Sequence, residues 1–268
     1  MNTVSFCKFH GFGNDYIVFE IEALRETENL GDFAKKVCHR HTGIGGDGIA
    51  VLERLDAAEA DYACRIINPD GSEAGFSGNG TRCAVAYLYY KNLRQQNSLK
   101  LKTKSGIKTY ELLEKKDFTF WFRAELGRPH SFANYELQIT NRVLPIFSLD
   151  VGNPVAVIFV DDFEQIDWRA AGREIETHRQ FPERTNVVFV KIIDRKNIEI
   201  RIWERGAGET SSSGTCSIAA AVASGFTGKT GRQVSVSAEG GTTEAVWRED
   251  DEMLITGRAD LAFCGEVI

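Results

Sequence analysis

Six cysteines (Cys7, Cys38, Cys64, Cys83, Cys216 and Cys264) are scattered along the chain without one Cys-x-x-Cys pair, the spacing that zinc and thioredoxin-type redox sites require. They read as free thiols of a reducing compartment, not as disulfides or metal ligands. The histidines, His10, His39, His41, His130 and His178, show no metal-ligand spacing, and His39 and His41, two residues apart, would not share a helix face. No metal site is expected. No apolar run approaches the length of a membrane span, and the residues from Met1 to His10 lack the basic start and apolar core of a signal peptide. The expectation is a cytoplasmic protein with no membrane partner. With 38 acidic against 32 basic side chains the net charge is −6, and no basic run or aromatic-interleaved basic patch offers a nucleic-acid footprint.

What is present is a repeat. A β-type run from Arg201 enters a Gly- and Ser-rich turn and leaves it through an Ala-rich, helix-favouring run to Ala223. The same arrangement occurs earlier: Arg65, Ile66, Glu73, Ser77 and Gly78 match Arg201, Ile202, Glu209, Ser213 and Gly214, each pair offset by 136 residues. Gly13-Asn14 and Gly152-Asn153 also correspond, offset by 139. An offset of half the 268-residue length favours two similar halves, and 43% hydrophobic with 26% charged residues is a soluble globular composition.

In the first half, β-type runs at 4–9 and 16–21 flank a glycine-rich turn, a helix is expected over 32–40, and strands at 49–52 and 65–68 precede the turn and a helix over 80–90. Strands at 99–103, 109–113 and 118–122 close it. The second half repeats the order with strands at 147–151 and 155–160, a helix over 167–177, strands at 187–192 and 198–203, then the key turn and helix. Strands that outnumber helices favour an α/β class of mixed sheets wrapping helices over a strictly alternating parallel fold. The division is expected near 118–125, giving an N-terminal half of 1–120, joined by the tail 259–268, and a C-terminal half of 121–258. Gly43-Ile44-Gly45-Gly46-Asp47-Gly48 fits Gly-x-Gly-x-x-Gly but follows a helix and lacks the strand–turn–helix setting of a dinucleotide site.

Turns opening into helices present free backbone N–H groups, which form anion sites. Two such helix starts meeting in a cleft would hold a carboxylate, with Ser77 and Ser213 on opposite faces of the carbon bearing it. Opposed groups across one α-carbon are what a cofactor-free racemase or epimerase needs, one removing a proton and the other delivering one.

Several motifs resemble signatures of the diaminopimelate epimerase family: Phe9-His10-Gly11-Phe12-Gly13-Asn14-Asp15, Gly43-Ile44-Gly45-Gly46-Asp47-Gly48, Asn68-Pro69-Asp70-Gly71-Ser72-Glu73, Gly78-Asn79-Gly80-Thr81-Arg82-Cys83, Gly152-Asn153-Pro154, Thr185-Asn186-Val187 and Glu204-Arg205-Gly206-Ala207-Gly208-Glu209-Thr210. The resemblance implies two pseudo-symmetric domains around a cleft, a small amino-acid substrate, no cofactor and a homodimer serving lysine biosynthesis. It places the substrate's α-carboxylate on the amides of Gly78, Asn79, Gly214 and Thr215. It assigns Asn14, Asn68, Asn153, Asn186, Glu204 and Arg205 to the amino and carboxylate groups of diaminopimelate, for which amides and a guanidinium fork are suited.

Two departures stand out. Both turn-starting positions are cysteine in the family, acting as base and acid, but here they are Ser77 and Ser213, and a serine hydroxyl does not ionise as a thiol does. Val155 replaces the histidine that usually follows Gly-Asn-Pro. The expected activity is epimerisation of LL-2,6-diaminopimelate to the meso form with weakened proton transfer. The serines are open to three explanations: a pair introduced to silence the enzyme, native residues activated by Glu73, Glu209 or Glu204, or a fold turned to other chemistry. The alternatives are an isomerase or dehydratase of another amino acid, or an inert amino-acid-binding protein.

Overall fold

The computed structural model describes residues 3–56, 58–140 and 142–268. The chain separates into two compact units, residues 1–124 with 257–268 and residues 125–256.

The first unit opens with an antiparallel hairpin of β1 (Val4–Gly11) and β2 (Asn14–Glu20). After a short 3-10 turn, α1 (Leu30–Cys38), capped by Asn29, carries the chain to β3 (Gly48–Arg54), parallel to β2. β4 (Tyr62–Ile67) returns antiparallel, and the two-residue β5 (Glu73–Ala74) leads into α2 (Gly78–Tyr90). β6 (Ser98–Thr103) then lies parallel to β4, and β7 (Gly106–Lys116) folds back on β6. β8 (Thr119–Glu125) ends the first pass.

The second unit repeats this order. β9 (His130–Ile139) pairs with β10 (Arg142–Asp150), which forms a hairpin with β11 (Pro154–Val160). α3 (Trp168–Glu176), capped by Asp167, precedes β12 (Asn186–Ile192), parallel to β11. β13 (Asn197–Glu204) returns antiparallel, the two-residue β14 (Gly208–Glu209) leads into α4 (Gly214–Phe226), and β15 (Gln233–Ala238) lies parallel to β13. β16 (Gly241–Trp247) and β17 (Met253–Val267) complete the pattern. β17 serves both units: its early residues pair with β16 and its later ones with β1, so it stands beside β1 as β9 stands beside β10.

The helices divide by sequence character. α1 and α3 bury one face, whereas α2 is buried from Gly78 to Tyr89 and α4 from Gly214 to Ser224. Helices without a polar face can only be stable inside, wrapped by sheet. In β2 the side chains alternate: Ile17 and Phe19 join the cluster with Val37 of α1, Ile49 and Ile67, while Tyr16 turns to the α2 side and meets Gly80. In β11, Ala156 and Ile158 join Trp168, Ile175 and Phe189 in the equivalent cluster. Each buried Val, Ile or Phe side chain of these clusters contributes about 1.5–3 kcal/mol.

The cysteine expectation is corrected here. Cys7 and Cys264 form a disulfide, because β1 and β17 pair in a register that sets these two residues directly opposite each other. They are 257 residues apart, so no local spacing could signal the bond. Cys38, Cys64, Cys83 and Cys216 are free and buried.

Candidate active site

Ser77 and Ser213 are the N-caps of α2 and α4, both extended at the backbone. Ser77 Oγ accepts from Gly80 N at 3.1 Å and Ser213 Oγ accepts from Cys216 N at 3.4 Å. The first i→i−4 bonds of the two helices run from Thr81 N to Ser77 O and from Ser217 N to Ser213 O, each 2.9 Å. Gly78, Asn79, Gly214 and Thr215 therefore occupy the first helical turn, where N–H groups point out of the helix and carry its positive end.

The surroundings of the two serines differ. Ser77 Oγ is 2.9 Å from the Tyr16 hydroxyl. Ser213, itself buried, donates to Glu204 Oε1 at 2.6 Å, with Thr215 Oγ1 at 3.3 Å. Of the three acids that could have activated a serine, Glu204 alone touches one. Glu73 is held by Arg65 at 2.8 Å and Glu209 by Arg169 at 2.7 Å, and each arginine holds its carboxyl below the usual range. The repeated Arg–Glu pattern is thus not conserved as a contact, since Arg201 pairs with Glu199 and Glu239.

Around Ser77 the first unit assembles a polar chain. Asn79 Nδ2 donates to Asn14 Oδ1 at 3.1 Å, and Asn14 Nδ2 donates to Asp47 at 2.8 Å. Asn79 Oδ1 accepts from Arg82, which is buried and also donates to Arg258 O at 3.3 Å. Asp47 and Asp15 share Arg40, and Asp15 also pairs with Lys8 at 2.8 Å. Burial pushes the Asp15 carboxyl up, but the bonds to Arg40 and Lys8 outweigh it and hold the group at about 2. Burial and the Asp15 charge push Asp47 the other way. Asn68 stands apart from this chain: its amide donates to Ser72 at 3.0 Å within an exposed turn.

The second unit brings Asn153, Asn186 and Arg205 together. Arg205 Nη2 donates to Asn153 Oδ1 at 3.0 Å, and Arg205 N donates to Asn186 Oδ1 at 3.0 Å. Asn186 Nδ2 in turn donates to Pro154 O at 3.1 Å. The buried Glu176 fixes the following turn, accepting from Gly206 N at 2.9 Å and Trp203 Nε1 at 2.8 Å. Val155 is buried on β11 and directs no polar atom at Ser213.

Neither Cys83 nor Cys216 substitutes for a catalytic thiol. Both are fully buried, and burial raises both thiols well above their ordinary value. Tyr16 and Glu176 are contributors that sequence patterns did not single out, and Asp47 stood in the Gly43–Gly48 motif without a role assigned to it. For Tyr16 a signal existed: the 139-residue offset that aligns Asn14 with Asn153 carries Tyr16 onto Val155.

The chain matches the diaminopimelate epimerase family over residues 6–129 and 147–262. A diaminopimelate epimerase of Pelotomaculum thermopropionicum is 37% identical, the match covering 97% of this chain and 98% of the relative. One from Methanococcus maripaludis is 33% identical, with 98% and 99% covered. Among solved structures, a PhzF-family phenazine biosynthesis protein of Bacillus anthracis superposes with a TM-score of 0.75 at 17% identity, all of both chains being covered. A hydroxyproline epimerase of Agrobacterium vitis, with bound trans-4-hydroxy-L-proline, gives 0.74 at 14% identity, covering 100% of this chain and 91% of that one. At those identities the superpositions speak for the fold alone, whereas the family match spans nearly the whole sequence. The chain belongs to the diaminopimelate epimerase family of amino-acid racemases and epimerases.

Proposed function

We propose that this chain is a cofactor-independent epimerase interconverting LL-2,6-diaminopimelate and its meso form, with Ser77 and Ser213 acting from opposite faces of one α-carbon. The observation that carries this reading is the matched pair of serine-capped helix starts, one in each unit, in a chain of this family. Gly78, Asn79, Gly214 and Thr215 would bind the α-carboxylate through amides at the positive helix ends. Asn14, Asn68, Asn153, Asn186, Glu204 and Arg205 would hold the remaining amino and carboxylate groups, and the Asn153–Arg205–Asn186 constellation supports that assignment. The working form by the same resemblance is a homodimer in lysine biosynthesis, and the expected compartment is the cytoplasm.

Turnover should be slow. A positioned acid or base contributes about 10²–10⁴-fold, and a hydroxyl in place of a thiol forfeits much of that on each face. The test is incubation with LL- and meso-diaminopimelate in deuterium oxide, following α-proton exchange by NMR for the native chain and for Ser77→Cys/Ser213→Cys. Slow exchange by the native chain and faster exchange by the double variant is the expected result. Exchange by the cysteine variant alone would leave a binding site without native activity, and silence from both would remove diaminopimelate as substrate.

A further inference from the structure

β10 and β11 do not stay together along their lengths. They pair from Phe147 with Val157 to Asp150 with Pro154, yet β10 reaches back to Arg142 and β11 runs on to Val160. Beyond Phe147 the two strands part while each keeps its outer neighbour, β10 remaining on β9 as far as Arg142 and β11 on β12 as far as Val160. Pro145 lies in the parted stretch of β10 and has no N–H with which to continue a ladder. A cavity of about 640 Å³ occupies this place, a volume in the range of small-molecule sites. Leu144 and Pro145 are consecutive on one strand, Ile158 and Phe159 on the other, and consecutive strand residues point to opposite faces of a sheet. All four line the cavity. It therefore opens at the strand edges, in a gap of the sheet itself, and every residue lining it belongs to the second unit.

The lining combines an apolar wall with charges of both signs. Leu144, Ile158 and Ile166 are buried and form the wall together with Ile192. Arg142 and Lys229 bring two positive charges and Asp161 one negative charge, all three on exposed residues. Arg142 Nη1 donates to Gln165 O at 3.4 Å, and Lys229 Nζ stands 5.0 Å from the centre of the Phe159 ring. Among the described residues none of the three charges is in an ion pair, whereas the adjacent Asp162 is taken by Lys191 at 3.2 Å. In a chain whose net charge is −6, two cations without a carboxylate partner at one cavity call for an anionic group from outside.

We propose that this cavity binds an apolar α-amino acid as its zwitterion. Arg142 and Lys229 hold the carboxylate, Asp161 holds the ammonium group, and the side chain lies against Leu144, Ile158, Ile166 and Ile192. A plain carboxylic acid would bring no partner to Asp161, and a plain amine would face two cations. A ligand with both charges and an apolar body answers all three parts of the lining. The site is separate from the serine-capped turn. Ser213 caps the N-terminal end of α4 and Lys229 follows its C-terminal end, a helix length of roughly 20 Å apart at 1.5 Å per residue. The proposal therefore does not rest on the epimerase reading, and turnover of diaminopimelate, present or absent, leaves it standing.

The test titrates L-leucine, isocaproate (leucine without its amino group) and isoamylamine (leucine without its carboxylate) into protein carrying isotope-labelled isoleucine methyl groups, followed by NMR. L-Leucine should shift the signals of Ile158, Ile166 and Ile192 saturably, each signal being assigned from its Ile→Val variant. Both analogues should bind more weakly, by about fivefold or more for the loss of one charge pair. Asp161→Asn should weaken leucine by a similar factor and leave isocaproate no weaker. Arg142→Gln and Lys229→Gln should weaken leucine and isocaproate and leave isoamylamine no weaker. Thermal melts of the three variants should match the native chain, because the replaced side chains are exposed. The absence of a saturable shift with L-leucine would overturn the proposal. So would leucine shifts confined to methyls outside the cavity or unchanged in Arg142→Gln/Lys229→Gln, because leucine would then bind elsewhere. Isocaproate binding as tightly as leucine, and equally in Asp161→Asn, would overturn the zwitterion in favour of a simple anion site.

Discussion

Asp15 sits beside the site without being one of its reacting groups, and its charge state is set by neighbours that the fold must hold in place. Lys8 on β1 and Arg40 beyond α1 both bond its carboxylate, against the opposing effect of burial, and the group titrates at about 2 where the ordinary value is 3.8. A carboxyl depressed by folding stabilises the protein above its unfolded value and loses that contribution as pH falls through its folded value. Asp47 shifts upward beside it and offsets part of the gain. Asp15→Asn is therefore expected to cost on the order of 1–2 kcal/mol at neutral pH. That cost should shrink steadily as pH falls from the ordinary value of 3.8 towards the folded value of about 2, as read from denaturant melts of both proteins across that range. A cost independent of pH would show that lost packing, not charge, is responsible.

At the scale of elements, the helix starts do two jobs, capping the helix and presenting a hydroxyl, and Gly80 shows how tightly the first is built. An alanine there would bring its Cβ within 2.9 Å of both Ile66 Cδ1 and the Tyr16 ring. Gly80→Ala should cost about 1–3 kcal/mol through overpacking, against the small gain its helix propensity would otherwise bring, and should lower turnover further by moving Tyr16 from Ser77. Urea melts and the isomer assay check the two effects separately, and an alanine variant of raised stability would contradict the close approach. Helices, hairpins and the two Ser-capped turns were legible in the sequence because each carries a local signal: an apolar period, a Gly-Asn turn, an Ala-rich run after serine. β9 was not anticipated. Its run from His130 to Ile139 is mostly exposed and polar, and it is a strand because β10 pairs with it along its length. The short expected runs at 109–113 and 147–151 likewise became the longer β7 and β10, since ladder bonds extend a strand past its apolar stretch.

At the scale of the molecule, duplication accounts both for what the sequence disclosed and for what it concealed. Equivalent positions can be paired by offset, so Ser77 with Ser213 and Asn14 with Asn153 were visible; contacts are not inherited with positions, so Tyr16 beside Ser77, and the choice of Glu204 over Glu73 and Glu209 beside Ser213, were visible only in three dimensions. The same holds for the link between β1 and the end of β17. β17 begins in the second unit and finishes against the first strand of the chain, and Cys7–Cys264 closes a loop spanning nearly the full length. A crosslink across so long a loop restricts the unfolded chain strongly, with typical contributions of about 2–4 kcal/mol. Cys7 is buried whereas Cys264 is on the exposed end of its strand, so a small thiol reductant has a sulfur to attack. Thiol titration of the denatured, unreduced protein should then count the four free cysteines Cys38, Cys64, Cys83 and Cys216, rising to six of six after reduction. The Cys7→Ser/Cys264→Ser variant should melt several degrees lower than the oxidised protein and match the reduced one, because the crosslink, not the two side chains, is what is lost. Six titratable thiols before reduction would show that the pair stays open in solution, and the double variant should then melt with the untreated protein.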